Sequence, residues 1–261
     1  MRAVIAAVVL SACGRIGFDA TAIASARDGA MTGDDGAMLD DSMIAIDAGL
    51  PAGLVAWYPF EGTITSKDVI ANNDGGCSMN QCPSPMPGHL GQGLQFDGVD
   101  DCLSVGDAGQ LDLPQITLAI WANQATTGTL SQVSKRVLGG SVNSWQLETE
   151  ALGTPPLSLS FTTYDGSGLN QYARTPMNTM KLGTWQHLAA TYDGATKRVY
   201  IDGVEQATVA EPNPLPYDNM PMMIGCDDNN PVSEYYNGVL DDLQIYDRAL
   251  TPTEIADLAA R

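Results

Sequence analysis

An all-β fold, two packed antiparallel sheets with one short helix at the C-terminus, is what this sequence predicts, and three observations predict it. From Leu54 onward, short apolar or alternating runs are punctuated by Gly, Asn, Asp and Pro, the pattern of many short strands joined by turns. Asp202-Gly203 sits between Val199-Tyr200-Ile201 and Val204-Glu205-Gln206, a two-residue hairpin turn in which both positions tolerate positive φ. Thr251-Pro252-Thr253-Glu254 reads as a capping box with proline at the first helical position, the one helix start in the chain.

Taken in order, the strands are expected at 55–60, 93–96, 102–105, 116–123, 132–137, 144–149, 157–163, 171–175, 185–192, 197–201, 204–209, 222–225 and 238–246. These suffice for two sheets. In the closing helix Ile255, Leu258 and Ala259 fall on one face and form a clasp. A single short helix against a dozen strands argues against an α/β enzyme core.

Ahead of the strands the chain is different. Met1-Arg2 followed by the apolar run 3–10 is the arrangement of a secretory signal. From Gly14 to about Gly53 the chain is rich in Ala, Asp, Gly and Met, lacks aromatics after Phe18 and shows no sustained period, so it reads as an acidic tether. Asp34-Asp35-Gly36, Asp40-Asp41 and Asp47 do not supply the glycine and glutamate positions of an EF-hand loop. The expected organisation is signal 1–12, tether 13–52 and folded domain 53–261.

The formal net charge is −19, from 31 acidic and 12 basic side chains. Phosphate backbones need clustered Lys and Arg, so nucleic acid is not an expected partner. After the first dozen residues no stretch reaches the roughly 18 apolar residues of a membrane-spanning helix, so no span is expected in the body. Five cysteines divide into Cys13 at the end of the apolar leader and Cys77, Cys82, Cys102 and Cys226 in the body. Four cysteines allow three pairings that sequence alone does not separate. The spacing of Cys77 and Cys82 suits a small closed loop, leaving Cys102 with Cys226. A zinc site would want CxxC knuckles or more histidines than His89 and His187, so disulfides and an oxidising compartment are expected.

Two resemblances add to this reading. Leu10-Ser11-Ala12-Cys13 resembles the signal of bacterial lipoproteins, which implies cleavage before Cys13, a diacylglycerol on its thiol and, with Gly14 following, display at the outer membrane. Four ordered segments resemble the LamG-like jelly-roll domain of the concanavalin A-like lectin and glucanase group. They are 53–62 (Gly-Leu-Val-Ala-Trp-Tyr-Pro-Phe-Glu-Gly), 91–101 (Gly-Gln-Gly-Leu-Gln-Phe-Asp-Gly-Val-Asp-Asp), 184–194 with 199–203, and 236–250 with Asp241-Asp242 at its centre. The resemblance covers residues 53–261 and implies a two-sheet jelly-roll sandwich.

It also implies candidate sites. In related jelly rolls a glutamate near the start and an aspartate of an Asp-Asp pair near the end share one structural calcium, which points to Glu61 and Asp242, with Asp68 as a third oxygen donor; Asp227-Asp228-Asn229-Asn230 is a second candidate. For a glycan, exposed aromatics with Asn and Arg are the suitable types, and Tyr164, Asn170, Tyr172 and Arg174, with Tyr235 and Tyr236, fit. Glycosidases of this fold carry Glu-x-Asp-x-x-Glu on one strand; Glu148-Thr149-Glu150 lacks the middle aspartate, and alternation with Trp145 and Leu147 assigns its glutamates to a solvated face. No Gly-x-Ser-x-Gly is present in the body, and His187 reads as a hydrogen-bonded structural histidine, so no catalytic residues are expected. The expected function is a lipid-anchored, non-catalytic module that recognises a glycan or a surface protein. A structural envelope component and a glycoside hydrolase are the alternatives.

Overall fold

The computed structural model describes residues 50–261, apart from 63–65, 108, 138, 140–141, 152–156, 165, 167–169 and 230. The signal at 1–12, Cys13, nearly all of the tether and Asn230 lie outside the described residues. In chain order the strands are β1 (Leu54–Tyr58), β2 (Gly75–Gly76), β3 (Ser84–Pro87), β4 (Gln92–Asp97), β5 (Leu103–Val105), β6 (Ile116–Gln124), β7 (Leu130–Val137), β8 (Val142–Ala151), β9 (Leu157–Tyr164), β10 (Asn170–Arg174), β11 (Gln186–Tyr192), β12 (Thr196–Ile201), β13 (Val204–Ala210), β14 (Met222–Ile224) and β15 (Asn237–Tyr246). They are followed by the helix α1 (Pro252–Ala259).

Among the described residues the strands form two antiparallel sheets. Eight strands make one, in the order β13-β12-β11-β6-β15-β4-β3 with β1 also on β15, and seven make the other, in the order β10-β9-β8-β7-β14-β5-β2. This is the jelly-roll sandwich. The core lies between the sheets, where alternate residues such as Leu118, Ile120, Leu188 and Ile245 meet Trp145, Leu147, Leu159 and Phe161. Lys197 crosses the core at zero exposure and donates to the Thr163 hydroxyl at 2.9 Å and the Gln171 carbonyl at 2.7 Å, tying β12 to β9 and β10.

Thirteen strands fall where the alternation put them, to within a residue or two at most ends. β2 and β3 do not announce themselves, because β2 is two glycines without side chains to alternate and β3 (Ser-Pro-Met-Pro) carries prolines that a ladder accepts only at an edge. Asp202 and Gly203 have φ of 51° and 78°, as the hairpin turn requires. A Cβ on Gly203 would also lie 2.9 Å from the Ala256 Cα, so glycine here serves both the turn and the close approach of α1.

α1 has the expected cap: the Thr251 hydroxyl accepts from the Glu254 N–H, and the Glu254 carboxylate accepts from the Thr251 N–H. Leu250, Ile255 and Leu258 dock on Ala119, Ala189, Tyr200 and Tyr246 of the eight-stranded sheet's outer face. No helix among the described residues is long and apolar enough to cross a membrane.

Candidate functional site

The outer face of the seven-stranded sheet carries a cleft of about 380 Å³. Its shape follows from strand alternation. On β9 the sequence Leu-Ser-Leu-Ser-Phe-Thr turns Leu157, Leu159 and Phe161 into the core and leaves only Ser158, Ser160 and Thr162 on the other face. The neighbouring strands carry longer groups in the same rows. Arg174, Ser160 and Glu148 lie in cross-strand register, as do Tyr172, Thr162 and Gln146. Small side chains between long ones make a trough.

A β-bulge adds Asn143. The pairing moves from Lys135–Trp145 to Arg136–Asn143, so β8 carries one extra residue and both Arg136 and Asn143 line the cleft. Above the strands, the connection from β14 to β15 contributes Asn229 and Glu234. Its base is held by Arg136, whose Nε donates to both Asp227 carboxylate oxygens at 3.0 and 2.9 Å in a buried pair, and by the Cys102–Cys226 disulfide.

Polar contacts fix most groups in the trough. Asn143 Nδ2 donates to Gln146 Oε1, whose Nε2 donates to Glu234 Oε2 at 2.7 Å. The Thr162 hydroxyl donates to Glu148 Oε1 at 2.6 Å. Arg174 pairs with Glu150 and lies 5.0 Å over the Tyr172 ring. Burial pushes the Glu148 carboxyl up from 4.5 to about 8, against the Thr162 hydrogen bond and with help from the negative field of Glu234, Glu150 and Asp227. Glu234 is raised as well, again chiefly by burial. Both arginines are paired with carboxylates, and the trough is polar. Asn143 Oδ1, Asn170 Oδ1 and Arg174 Nε are buried there with no partner within the protein. Buried polar atoms in native folds are nearly always satisfied, so these three stand out among the groups around the cleft.

Of the residues singled out for ligand contact, Asn170, Tyr172 and Arg174 line this cleft together; Tyr164 is in register with Asn170 but is not part of the lining. Tyr236 is fully buried, edge-on to Phe96 at 6.2 Å, and belongs to the core. The solvated face expected for Glu148 and Glu150 is corrected: they are 5% and 6% exposed, because β10 and the 227–234 connection rise beside them. Arg136, Asn143, Gln146 and Glu234 were not singled out from sequence. Only the polar alternation Gln146, Glu148, Glu150 facing Ser158, Ser160, Thr162 could have signalled them.

The expected calcium trio is not assembled. The Asp68 carboxylate accepts from Trp57 N (3.1 Å), Ile70 N (3.0 Å), Asn73 N (3.2 Å) and Asn73 Nδ2 (3.1 Å), so Asp68 organises its loop. Glu61 accepts from Gln92 N, while Asp242 accepts from the Trp57 indole and from Gln244 Nε2 at 2.9 Å. Asp242 stands in a bulge with φ of 53°. Among the described residues, the one trio of possible ligand atoms within 4.8 Å is Asp97, Asp100 and Asp101. There Asp97 Oδ1 accepts from Val99 N at 2.8 Å and Asp101 Oδ2 from Asp97 N at 2.9 Å, an arrangement that satisfies itself. Asp227, of the second candidate, is the partner of Arg136.

The cysteines pair as Cys77–Cys82 and Cys102–Cys226, with Cα separations of 5.2 and 5.5 Å. His187 is structural but not through the expected ring hydrogen bond: its Nδ1 has no partner, its ring packs edge-on to Trp121 at 5.3 Å, and burial pushes its pKa down to about 3.

A family model described as the concanavalin A-like lectin/glucanases superfamily matches residues 97–256, more than half of the chain. No curated protein sequence matches. Among solved structures, the binding domain of Paraclostridial Mosquitocidal Protein 1 is similar with a TM-score of 0.60 and 15% identity over 79% of this chain and 52% of that one, so the chain spans about half its length. Domain 4 of AbnA, a GH43 extracellular arabinanase from Geobacillus stearothermophilus solved with arabinotriose, gives 0.58 and 22% over 79% of this chain and 98% of that one. Trypanosoma rangeli sialidase, in complex with the inhibitor DANA, gives 0.57 and 18% over 83% and 34%. At these identities the likeness is one of fold.

Proposed function

The chain belongs to the concanavalin A-like lectin/glucanases superfamily, and from that premise we propose that it is a non-catalytic glycan-binding module whose ligand lies in the cleft on the outer face of the seven-stranded sheet. The observation that carries this reading is the set of unpartnered buried atoms, Asn143 Oδ1, Asn170 Oδ1 and Arg174 Nε, around a trough floored by hydroxyls and flanked by Tyr172. Sugar hydroxyls supply both donors and acceptors, and a ring's C–H face suits an aromatic side chain. The arabinotriose bound to the arabinanase domain is in keeping with this class of ligand. Isothermal titration against arabino-, xylo-, cello- and chito-oligosaccharides tests it. Binding that Asn143→Ala and Arg174→Ala each weaken at least tenfold supports the reading, and titrations that stay flat for every series overturn it.

A hydrolase is the second reading, favoured by one observation: Glu148, inclined to hold its proton at neutral pH, and Glu150, paired with Arg174, share one face of one strand. It requires release of reducing ends from one of the same oligosaccharides and loss of that activity in Glu148→Gln.

Display at the cell surface through a lipid on Cys13 is part of the proposal, supported by Leu10-Ser11-Ala12-Cys13 and by the two disulfides, which fit an oxidising compartment. Metabolic labelling with a fatty-acid analogue is expected to mark the chain and to fail in Cys13→Ser; an unlabelled wild-type chain overturns it.

A further inference from the structure

The outer face of the seven-stranded sheet does not end at the cleft. Beyond β7 the order continues through β14, β5 and β2, and there a second cleft of about 440 Å³ opens, with Ser78, Gln81, Asp100, Ser104, Met223 and Tyr235 among its lining. Its floor is a single cross-strand row. Met223 is in register with Ser104, and Ser104 with Gly76, so the floor steps down from a thioether to a hydroxymethyl to bare backbone. A Cβ built on Gly76 would meet no atom within 4 Å, so the space above it is open. Gly76 has none of the positive φ that would explain a glycine by conformation. A strand glycine of this kind marks close approach by a ligand or another backbone.

The two clefts share a wall. In the connection from β14 to β15, Asn229 and Glu234 line the first cleft while Val232 and Tyr235 line the second. The wall is held at its base: Asp227 and Ser233 exchange backbone hydrogen bonds at 2.9 Å each, Tyr236 N donates to Gly225 O at 2.8 Å, and the Arg136–Asp227 pair and the Cys102–Cys226 disulfide fasten it to β7 and β5. Two recesses on one sheet face are thus kept at a set separation. From β8 to β5 is three strand spacings, about 14 Å, too far for one sugar ring and suited to a chain of several.

Resting on the glycan-binding reading above, we infer that the second cleft is a further saccharide subsite and that the ligand is an extended oligosaccharide crossing the 227–235 connection to occupy both. The first cleft reads hydroxyls through fixed polar groups. The second supplies the Tyr235 ring and the Met223 thioether for a ring's C–H face, with Gln81, Asp100 and, on the floor, Ser104 for hydroxyls.

Titration of the full chain with arabino-, xylo-, cello- and chito-oligosaccharides from disaccharide to octasaccharide tests this, in the wild type and in Gly76→Trp and Tyr235→Ala. The expected result is an affinity that rises at least tenfold from the shortest to the longest bound member. Gly76→Trp, which fills the second floor, and Tyr235→Ala are expected to lose that gain while binding the shortest ligand at wild-type affinity, which also reports that they are folded. Short ligands that bind with no gain from length, or a gain that both variants retain, overturn the inference and leave the first cleft's role standing. No binding at any length removes the glycan-binding reading and this inference with it.

Discussion

The two sheets of the sandwich share one core but differ in what their outer faces do. On the eight-stranded sheet, the outward positions Ala119, Ala189, Tyr200 and Tyr246 are covered by Leu250, Ile255 and Leu258 of the C-terminal segment. On the seven-stranded sheet, the outward positions are Ser158, Ser160, Thr162, Gln146, Glu148 and Arg174, and no helix among the described residues covers them. Small and aromatic outward residues make a seat for a helix. Hydroxyls, carboxyls and guanidinium groups make a polar trough with three unpartnered buried atoms. One face is covered by the helix and the other carries the clefts.

The largest expected break in this contrast is Arg136→Ala. It leaves Asp227 buried without its partner, so a loss of about 3–5 kcal/mol is expected in a denaturant melt, together with loss of oligosaccharide binding as the connection between the clefts comes loose. Ile255→Ala on the other face is expected to cost about 2–5 kcal/mol by removing a fully buried side chain, with binding unchanged in the folded protein. If Ile255→Ala weakens binding as strongly as it lowers stability, the separation of roles between the faces fails.

A pH effect sharpens the contrast further. The Glu148 carboxyl holds its proton up to about 8 in the folded chain and releases it near 4.5 when unfolded, so folding binds a proton between these values. Its contribution is fully present below about 4.5 and is lost as pH rises through 8. Since the cleft opens to water, roughly 2–3 kcal/mol of pH-dependent stability is expected from this group. Comparing denaturant midpoints at acidic and alkaline pH in wild type and Glu148→Gln checks it: the variant is expected to lack this fall, and an identical pH profile refutes the assignment. The smallest effect is expected at the helix cap, where Thr251→Ala should cost about 1 kcal/mol without touching binding.

How much of the site could be read in advance differs by residue. Tyr172, Arg174 and Asn170 were visible because they follow one another at alternate positions of a short strand, and residue type suffices to propose them. Glu148 and Glu150 are legible as an outward pair, but an outward position is not the same as a solvated one. Their burial depends on β10 and on a connection about eighty residues further along the chain. Asn143 was hidden by a bulge, since simple alternation puts it on the same face as Trp145. The expected metal residues Glu61, Asp68 and Asp242 each accept hydrogen bonds from other protein groups, and the donors to Asp68 come from Trp57, Ile70 and Asn73, which simple alternation does not place around it.

By itself the sequence determined what local physics controls. Alternation placed the strands and sorted inward from outward positions, Asp202-Gly203 set the hairpin, and Thr251 to Glu254 started the helix, because each depends on residues within a few positions of one another. Only the tertiary structure decided which outer face is covered, and that residues from β7 to β10 and from the connection between β14 and β15 line adjoining clefts. Strand order and bulge register arise from long-range pairing across the whole sheet. No local window carries that information, so the sequence showed which side chains leave the core and the fold alone showed what they meet.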